Sequence, residues 1–288
     1  MLAGTSHYAA TSAHTQEIAR GERFAFGRNW QQLLRVIDDD RINHAEAALE
    51  RMLRLQQLNG LRFLDIGCGS GLSSLAARRL GAVVHAFDFD AQSVACAMEL
   101  RRRYGFEDSA WTIEEGSVLD QSYIARLGTF DIVYSWGVLH HTGRMWDALA
   151  TACSAVAPNG RLFIALYNDL GTSTVRWRRI KHIYNQLPAA LRPLFTIAAI
   201  APGESKALLR ACVKLRPSDY IRSWTAYNER GMHRWRDIVD WVGGYPYEVA
   251  TPEQVFDFCQ TRGFTLLSMH CGGVGLGCNE FVFQRGPA

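Results

Sequence analysis

The sequence lacks any apolar run able to span a bilayer. The longest, Leu194–Ala201, is broken by Thr196, and falls far short of the roughly 20 residues a transmembrane helix needs. Met1–Arg20 has no apolar stretch of the kind a secretory signal carries, so none is expected. Seven cysteines are present, Cys68, Cys96, Cys153, Cys212, Cys259, Cys271 and Cys278, but none in CxxC spacing. An odd, dispersed set argues against a disulfide scaffold or zinc site and for a reducing cytosol. Repeats and low-complexity tracts are absent too. What is present is 48% apolar residues, with 8 Trp, 10 Tyr and 14 Phe in 288 residues. That excludes global disorder and supplies a sizeable core.

Charge is nearly balanced at +3, but unevenly placed. Between Thr172 and Arg222 stand ten basic residues and two acids, a +8 segment that leaves −5 on the rest of the chain.

Periodicity divides the chain. Residues 31–57 place Leu33, Leu34, Ile37, Ala47, Leu49, Met52 and Leu55 at helical spacing. Leu61–Ile66 is a short buried strand running into glycines. Ser70–Leu80 is the next helix, Ala82–Phe87 a strand, Asp90–Tyr104 a helix and Trp111–Glu114 a strand. Phe130–Trp136 is a strand, Met145–Ala157 a helix halted by Pro158-Asn159-Gly160, and Arg161–Tyr167 a strand. Strands alternating with helices give βαβ units and a parallel sheet. About 85 residues without a convincing strand follow. Then come a helix over Glu253–Thr261, with Thr251 as its N-cap, and two strands, Phe264–His270 and Glu280–Gln284. Too few residues separate the last two for a crossover helix, so they pair antiparallel. The second glycine stretch, 272–277, is the hairpin loop between them.

The most informative segment is Leu64-Asp65-Ile66-Gly67-Cys68-Gly69-Ser70-Gly71, at a strand end before a helix. Glycines there let the backbone turn tightly and approach a ligand, with helix N–H groups facing an anionic group. Leu72 breaks the dinucleotide spacing GxGxxG, leaving DxGxGxG. Asp88, ending the next strand 23 residues after Asp65, stands where a carboxylate accepts hydrogen bonds from both ribose hydroxyls of a nucleoside.

These residues resemble motif I and the following acid of class I S-adenosylmethionine-dependent methyltransferases. The ordered set DIGCGSG, Asp88, GSVLD, FDIVYSWGVLHHT and the terminal hairpin carries the resemblance over 61–170 and 251–288. It implies an α/β fold: a seven-stranded, mostly parallel Rossmann-like sheet with a terminal antiparallel hairpin and a helical lid inserted after strand five. It divides the chain into an N-terminal helical lid (1–60), the cofactor-binding core (61–170 and 251–288) and a helical substrate-binding insert (171–250). It implies S-adenosylmethionine as cofactor, held by Asp65, Gly67, Cys68, Gly69, Gly71, Asp88, Phe89, Ser117, Val118, Ser135 and Trp136. Many relatives have Asp where Ser117 stands; the Ser117 hydroxyl and the Val118 N–H can still read an adenine edge. Asp90 and Asp120 read as helix caps.

Methyl transfer from a sulfonium is an in-line displacement, so the protein chiefly aligns the reactants, with a base for a protonated nucleophile. His141 and His140, after the fourth strand, are the first candidates, with Tyr167 and His233 beside them. A structural role is the alternative for each histidine. The local pattern, with FAFGRNW near the start, is similar to ubiquinone-pathway O-methyltransferases. Some of these bind a divalent metal through two Glu and one His; Gly137 and His140 stand at the Glu positions here, so no metal is expected. The absence of an Asn-Pro-Pro-Tyr/Phe sequence argues against amide or adenine N-methylation.

Trp30, Tyr167, Asn168, Tyr227, Asn228 and Trp235 are the expected substrate contacts, with core packing as the alternative for the tryptophans. The basic helix around Arg176–Tyr184 suits an anionic substrate or a lipid surface, or is a solvated charged face. The expected acceptor is a small molecule methylated on oxygen. The alternatives are an RNA or protein methyltransferase tracking phosphates with the basic insert, and an inactive cofactor-binding partner subunit. Interleaved apolar residues argue against nucleic acid. The expected place is the cytoplasm, with peripheral membrane contact left open, as is the oligomeric state.

Overall fold

The computed structural model describes residues 13–27, 30, 34, 37–106, 109–214, 216–225, 234–272 and 277–287. Residues 13–19 are helical, followed by α1 (Asp39–Leu53), β1 (Arg62–Ile66), α2 (Leu72–Arg79), β2 (Val83–Asp88), α3 (Ala91–Arg103), β3 (Trp111–Glu115), α4 (Gln121–Leu127), β4 (Phe130–Trp136), α5 (Met145–Ser154) and β5 (Val156–Tyr167). Helices α6 (Thr172–Gln186), α7 (Arg192–Val213), α8 (Pro217–Thr225) and α9 (Arg234–Gly243) occupy the stretch that reads as strand-free, and α10 (Pro252–Gln260), β6 (Phe264–His270) and β7 (Cys278–Arg285) complete the chain.

Seven strands form one sheet in the order β3-β2-β1-β4-β5-β7-β6. Strand β7 runs antiparallel to both β5 and β6, while the pairs among β1 to β5 are parallel. The chain moves outward from β1 to β3 and returns to β4 on β1's other side. That reversal leaves a crevice at the carboxyl ends of β1 and β4, the place where open α/β sheets bind ligands.

Alternation across the pleat separates two cores. Phe63, Val84, Trp111 and Phe163 face α1, α2 and α3, where Leu53, Leu75 and Leu100 are fully buried. Leu64, Ile66, Val133 and Ile164 face the other way, against Ile124, Leu149, Val255 and Cys259. Each such aliphatic side chain contributes about 1.5–3 kcal/mol by leaving water. A third cluster joins the N-terminal segment to the insert through Phe24, Trp177, Tyr184, Val242 and Tyr247.

Caps fix the helix starts. Asp90 and Asp120 accept from the backbone N–H of Gln92 and Tyr123, and Thr251 and Gln254 form a reciprocal capping box. Two of the boundaries that differ from the sequence reading have a cause in the backbone. Helix α2 begins at Leu72, not Ser70, because Gly71 at φ +83 lies outside right-handed helical space. Helix α5 ends at Ser154, and Pro158-Asn159-Gly160 belongs to β5 rather than to a helix stop. Strand pairing slips there: Phe130 opposes Val156 and Ile132 opposes Arg161. A bulge of this kind accommodates a proline without an N–H and Asn159 at φ +61.

Candidate functional site

A cavity of about 620 Å³ opens over the carboxyl ends of β1, β2 and β4. One half is the glycine loop. Gly67 and Gly69 adopt φ of +74 and +54, left-handed conformations that side-chain-bearing residues seldom occupy. The backbone amides of Gly67 and Cys68 both donate to the Phe87 carbonyl, at 2.8 and 3.1 Å, folding the loop against β2. A methyl group on Gly67 would lie 2.4 Å from Val138 Cγ1, and one on Gly69 would lie 3.1 Å from the Trp30 ring. Gly71 does a different job. It is outside the cavity lining, and a Cβ there would meet Ala97 of α3 at 2.9 Å, so this glycine lets two helices approach.

Asp88 organises the loop. Its Oδ2 accepts from the Gly69 amide and its Oδ1 from the Asp90 amide, both at 2.9 Å. Burial pushes its carboxyl up to about 6, against the lowering effect of those two amides. Each oxygen keeps a lone pair, so the carboxylate can hold the loop and still accept from a diol. Asp65 accepts from Ser74 Oγ at 2.5 Å, and burial pushes it up to about 7. Asp90 accepts from the Gly27 amide at 2.9 Å, tying the N-terminal segment over the cavity. That segment brings His14, Arg23, Phe24, Phe26 and Trp30 to the lining. Arg23 bridges it to the far side: its guanidinium donates to the His141 carbonyl at 2.7 Å and lies 5.2 Å from the Phe89 ring.

Phe89, Ser117, Val118 and Leu119 line the adjoining recess. The Ser117 hydroxyl accepts from the Leu119 amide at 3.2 Å, closing the turn after β3. This donor and acceptor set fits an adenosine: a carboxylate for the sugar diol, a hydroxyl and backbone edge for the base, and glycines leaving room for the amino-acid tail. Cys68 and Trp136 also line the cavity, the latter donating from its indole to Glu280 at 2.7 Å. Ser135 does not. It is fully buried and donates to the Ile66 carbonyl at 3.2 Å, fastening β4 to β1.

The other half is formed by His141, Arg144, Tyr167, Asp237, Asp240 and Trp241. Here the two adjacent histidines separate. His141 Nδ1 lies 2.6 Å from the Pro246 carbonyl. A carbonyl cannot donate, so Nδ1 carries the proton, and in the neutral ring Nε2 is left as the acceptor. Burial, with Lys181 and Arg23 nearby, depresses His141 to about 3 even though the Pro246 contact favours the cation. His140 lies outside the lining; its Nδ1 accepts from the Tyr167 amide at 3.3 Å and its ring stacks 3.8 Å from Tyr167. It positions Tyr167 and does not reach the cavity. Burial holds it well below the usual histidine range.

Behind this wall, the fully buried Lys181 donates to the Trp241 carbonyl and lies 4.1 Å from the Trp241 ring and 4.8 Å from that of Tyr247. Burial depresses its ammonium to about 7, opposed by Asp240. The expected contact Asn168 is turned to the sheet, accepting from Asn279 Nδ2 at 3.0 Å, and is not in the lining. Trp235 is also outside it. Tyr227, Asn228 and His233 lie outside the described residues. Sequence reading missed Arg23, Arg144 and Asp240. The spacing of Asp237, Asp240 and Trp241 on one helical face was a usable signal; the two arginines gave none.

Residues 64–162 match a family described as a methyltransferase domain. A ubiquinone biosynthesis O-methyltransferase of Xanthomonas oryzae pv. oryzae is 29% identical over 138 residues, covering 48% of this chain and 53% of that protein. An uncharacterized protein of Synechococcus sp. is 35% identical over 125 residues, covering 43% of this chain and 29% of that one. The chain thus spans about half or less of the length of these curated relatives. The magnesium protoporphyrin IX methyltransferase of Synechocystis PCC 6803, solved with bound SAH, superposes with a TM-score of 0.52 at 14% identity, over 98% of this chain and 99% of that one. The [4+2]-cyclase SpnF also reaches 0.52, at 13% identity over 86% and 81%. Sheet order and loop geometry agree with these comparisons: residues 64–162 match a methyltransferase domain, and the chain has the fold of the solved magnesium protoporphyrin IX methyltransferase.

Proposed function

We propose that the protein transfers a methyl group from S-adenosylmethionine to a hydroxyl group of a small-molecule acceptor. The observation that carries this reading is the two-part cavity, a carboxylate-braced glycine loop on one side and His141 with a bare Nε2 on the other. When bound, the cofactor supplies an electrophilic methyl group on a positively charged sulfur, a good leaving group. Gly67 and Gly69 leave room for its tail, Asp88 holds the ribose, and Ser117 with Val118 reads the adenine edge. Across the cavity, Tyr167 and Trp241 offer flat faces to the acceptor. His141 Nε2 accepts the acceptor's hydroxyl hydrogen bond, aims the oxygen lone pair at the methyl and takes up the proton as the new bond forms. Such positioned proton transfer is worth about 10²–10⁴-fold in rate for a base poised near the operating pH; a ring depressed to about 3 supplies the lower end of that range, taking the proton once methylation has made the oxygen strongly acidic. His140 holds Tyr167 in place through its backbone amide.

A panel of phenolic, sugar, carboxylate and amine acceptors incubated with the cofactor, read as S-adenosylhomocysteine release, tests this. The expected result is turnover on a hydroxyl acceptor, lowered at least about 100-fold in His141→Ala with unchanged cofactor affinity. Turnover confined to amines or carboxylates, or unchanged in His141→Ala, would overturn it.

A further inference from the structure

Of the 31 lysine and arginine side chains in the sequence, only Lys181, Lys206 and Lys214 are lysines. Lys206 and Lys214 are exposed, whereas Lys181, on α6, is fully buried and among the largest side chains that are. Taking an ammonium out of water is costly unless its surroundings replace the lost hydration. An apolar side chain of that volume would pack α6 against α9 without such a cost. The lysine therefore has a role that a hydrocarbon does not fill.

Its surroundings show which. Lys181 Nζ donates to the Trp241 carbonyl and lies 4.1 Å from the centre of the Trp241 ring, 4.8 Å from that of Tyr247 and 5.8 Å from that of Tyr167. All three rings are near enough to attract a cation, and a desolvated contact of this kind is the strong form. One ammonium thus grips Trp241 at two points, backbone and ring. A planar guanidinium would not fit among three rings as a compact ammonium on a flexible stem does, which is a reason for lysine in a chain otherwise rich in arginine.

The gripped rings are a wall of the cavity. Tyr167 and Trp241 both line it, with ring centres 5.3 Å apart and planes at 75°. Tyr167 in turn stands edge-on to His141, at 5.3 Å and 90°, and stacks 3.8 Å from His140. Lys181 is outside the lining, so it acts through the rings. Given the reading of this half as the acceptor site, we propose that Lys181 is its positioning residue: the caged ammonium fixes the Trp241 and Tyr167 rings at the angles from which they seat an acceptor beside His141 Nε2.

Having only three lysines makes the first test direct. The full chain carrying 13C-labelled lysine is examined by NMR at about pH 6, below the value of about 7 to which burial depresses this ammonium. One ε-methylene resonance should be displaced by ring currents from the two of the exposed lysines, and Lys181→Met should remove it alone. The second test reads the wall. In protein labelled with 5-fluorotryptophan, Trp241, assigned through Trp241→Phe, should give one sharp resonance in the wild type and a broadened or split one in Lys181→Met. Methionine keeps the volume of the stem, so a role in packing alone would leave the resonance sharp. S-adenosylhomocysteine should bind both proteins equally in isothermal titration. For a phenolic or sugar acceptor that the wild type turns over, Lys181→Met should raise KM about 10-fold with kcat nearly unchanged, the mark of lost binding. Four results overturn the proposal: coincident lysine resonances in the wild type, an equally sharp Trp241 resonance in both proteins, an unchanged KM, or weaker S-adenosylhomocysteine binding in Lys181→Met. The lysine spectrum needs no variant, and neither spectrum needs an acceptor. A protein that methylates no hydroxyl would thus refute the proposed function and leave the spectra to decide on Lys181.

Discussion

Replacing His141 with asparagine isolates the proton on which the proposed chemistry turns. Asparagine places an N–H₂ where histidine has Nδ1–H, so the donor to the Pro246 carbonyl, 2.6 Å away in the wild type, has a substitute. What disappears is a titratable ring. In the fold His141 is depressed from 6.5 to about 3. A histidine with a depressed folded pKa contributes full stability above its unfolded value and loses it as pH falls from 6.5 toward 3, because only the unfolded chain binds the proton. At pH 5 the unfolded residue is almost wholly protonated and the folded one almost wholly neutral. The wild type should therefore lose about 2 kcal/mol between pH 8 and pH 5 through this side chain alone. That figure depends on the folded value lying well below 5, not on its size. His140, Lys181 and Arg23 face the same ring and remain in the variant, so the difference between the two proteins belongs to His141. Urea denaturation at both pH values measures it. His141→Asn should show an acid loss smaller by about 2 kcal/mol. Equal losses in both proteins would mean that His141 titrates normally in the fold, and the argument for a neutral ring with a bare Nε2 would fail.

The carboxyl of Asp65 carries the opposite sign. It is raised from 3.8 to about 7 by burial, so the wild type is penalised as pH rises through that interval, by up to about 4 kcal/mol above pH 7. Asp65→Asn should melt higher than wild type at pH 8, with the advantage shrinking toward pH 4; an advantage that grew on acidification would contradict the burial argument. Gly67→Ala should destabilise by about 2–3 kcal/mol, combining the left-handed φ with the approach to Val138 Cγ1. Adding Val138→Ala should recover part of the loss and leave the φ share, as read by urea midpoints; complete recovery would show that the backbone conformation costs nothing.

The sheet and glycine loop were legible because their signals are local. Buried runs such as Leu61–Ile66 and Phe130–Trp136 can only be strands between helical layers, and Asp65, Gly67, Gly69 and Asp88 carry their spacing in the chain. Pro158-Asn159-Gly160 misled because the same residues that stop a helix also suit a bulged strand, and only pairing with β4 decides between them. The acceptor side was less legible. His141 owes its tautomer to Pro246, 105 positions away, and Arg23 reaches the cavity through contacts that no periodicity encodes. Ser135 and Asn168 sit at strand ends like true lining residues, yet one faces β1 and the other β7. Gly71 belongs to the motif by spacing and to helix packing by geometry.

The claim beneath all of this is that the hollow braced by Asp88 holds the nucleoside of S-adenosylmethionine. Isothermal titration of S-adenosylhomocysteine into wild type and Asp88→Ala tests it most directly. One-site binding should weaken by about 1–3 kcal/mol in the variant, the size of lost charge-assisted hydrogen bonds. Absence of binding to the wild type, or equal affinity in Asp88→Ala, would contradict it.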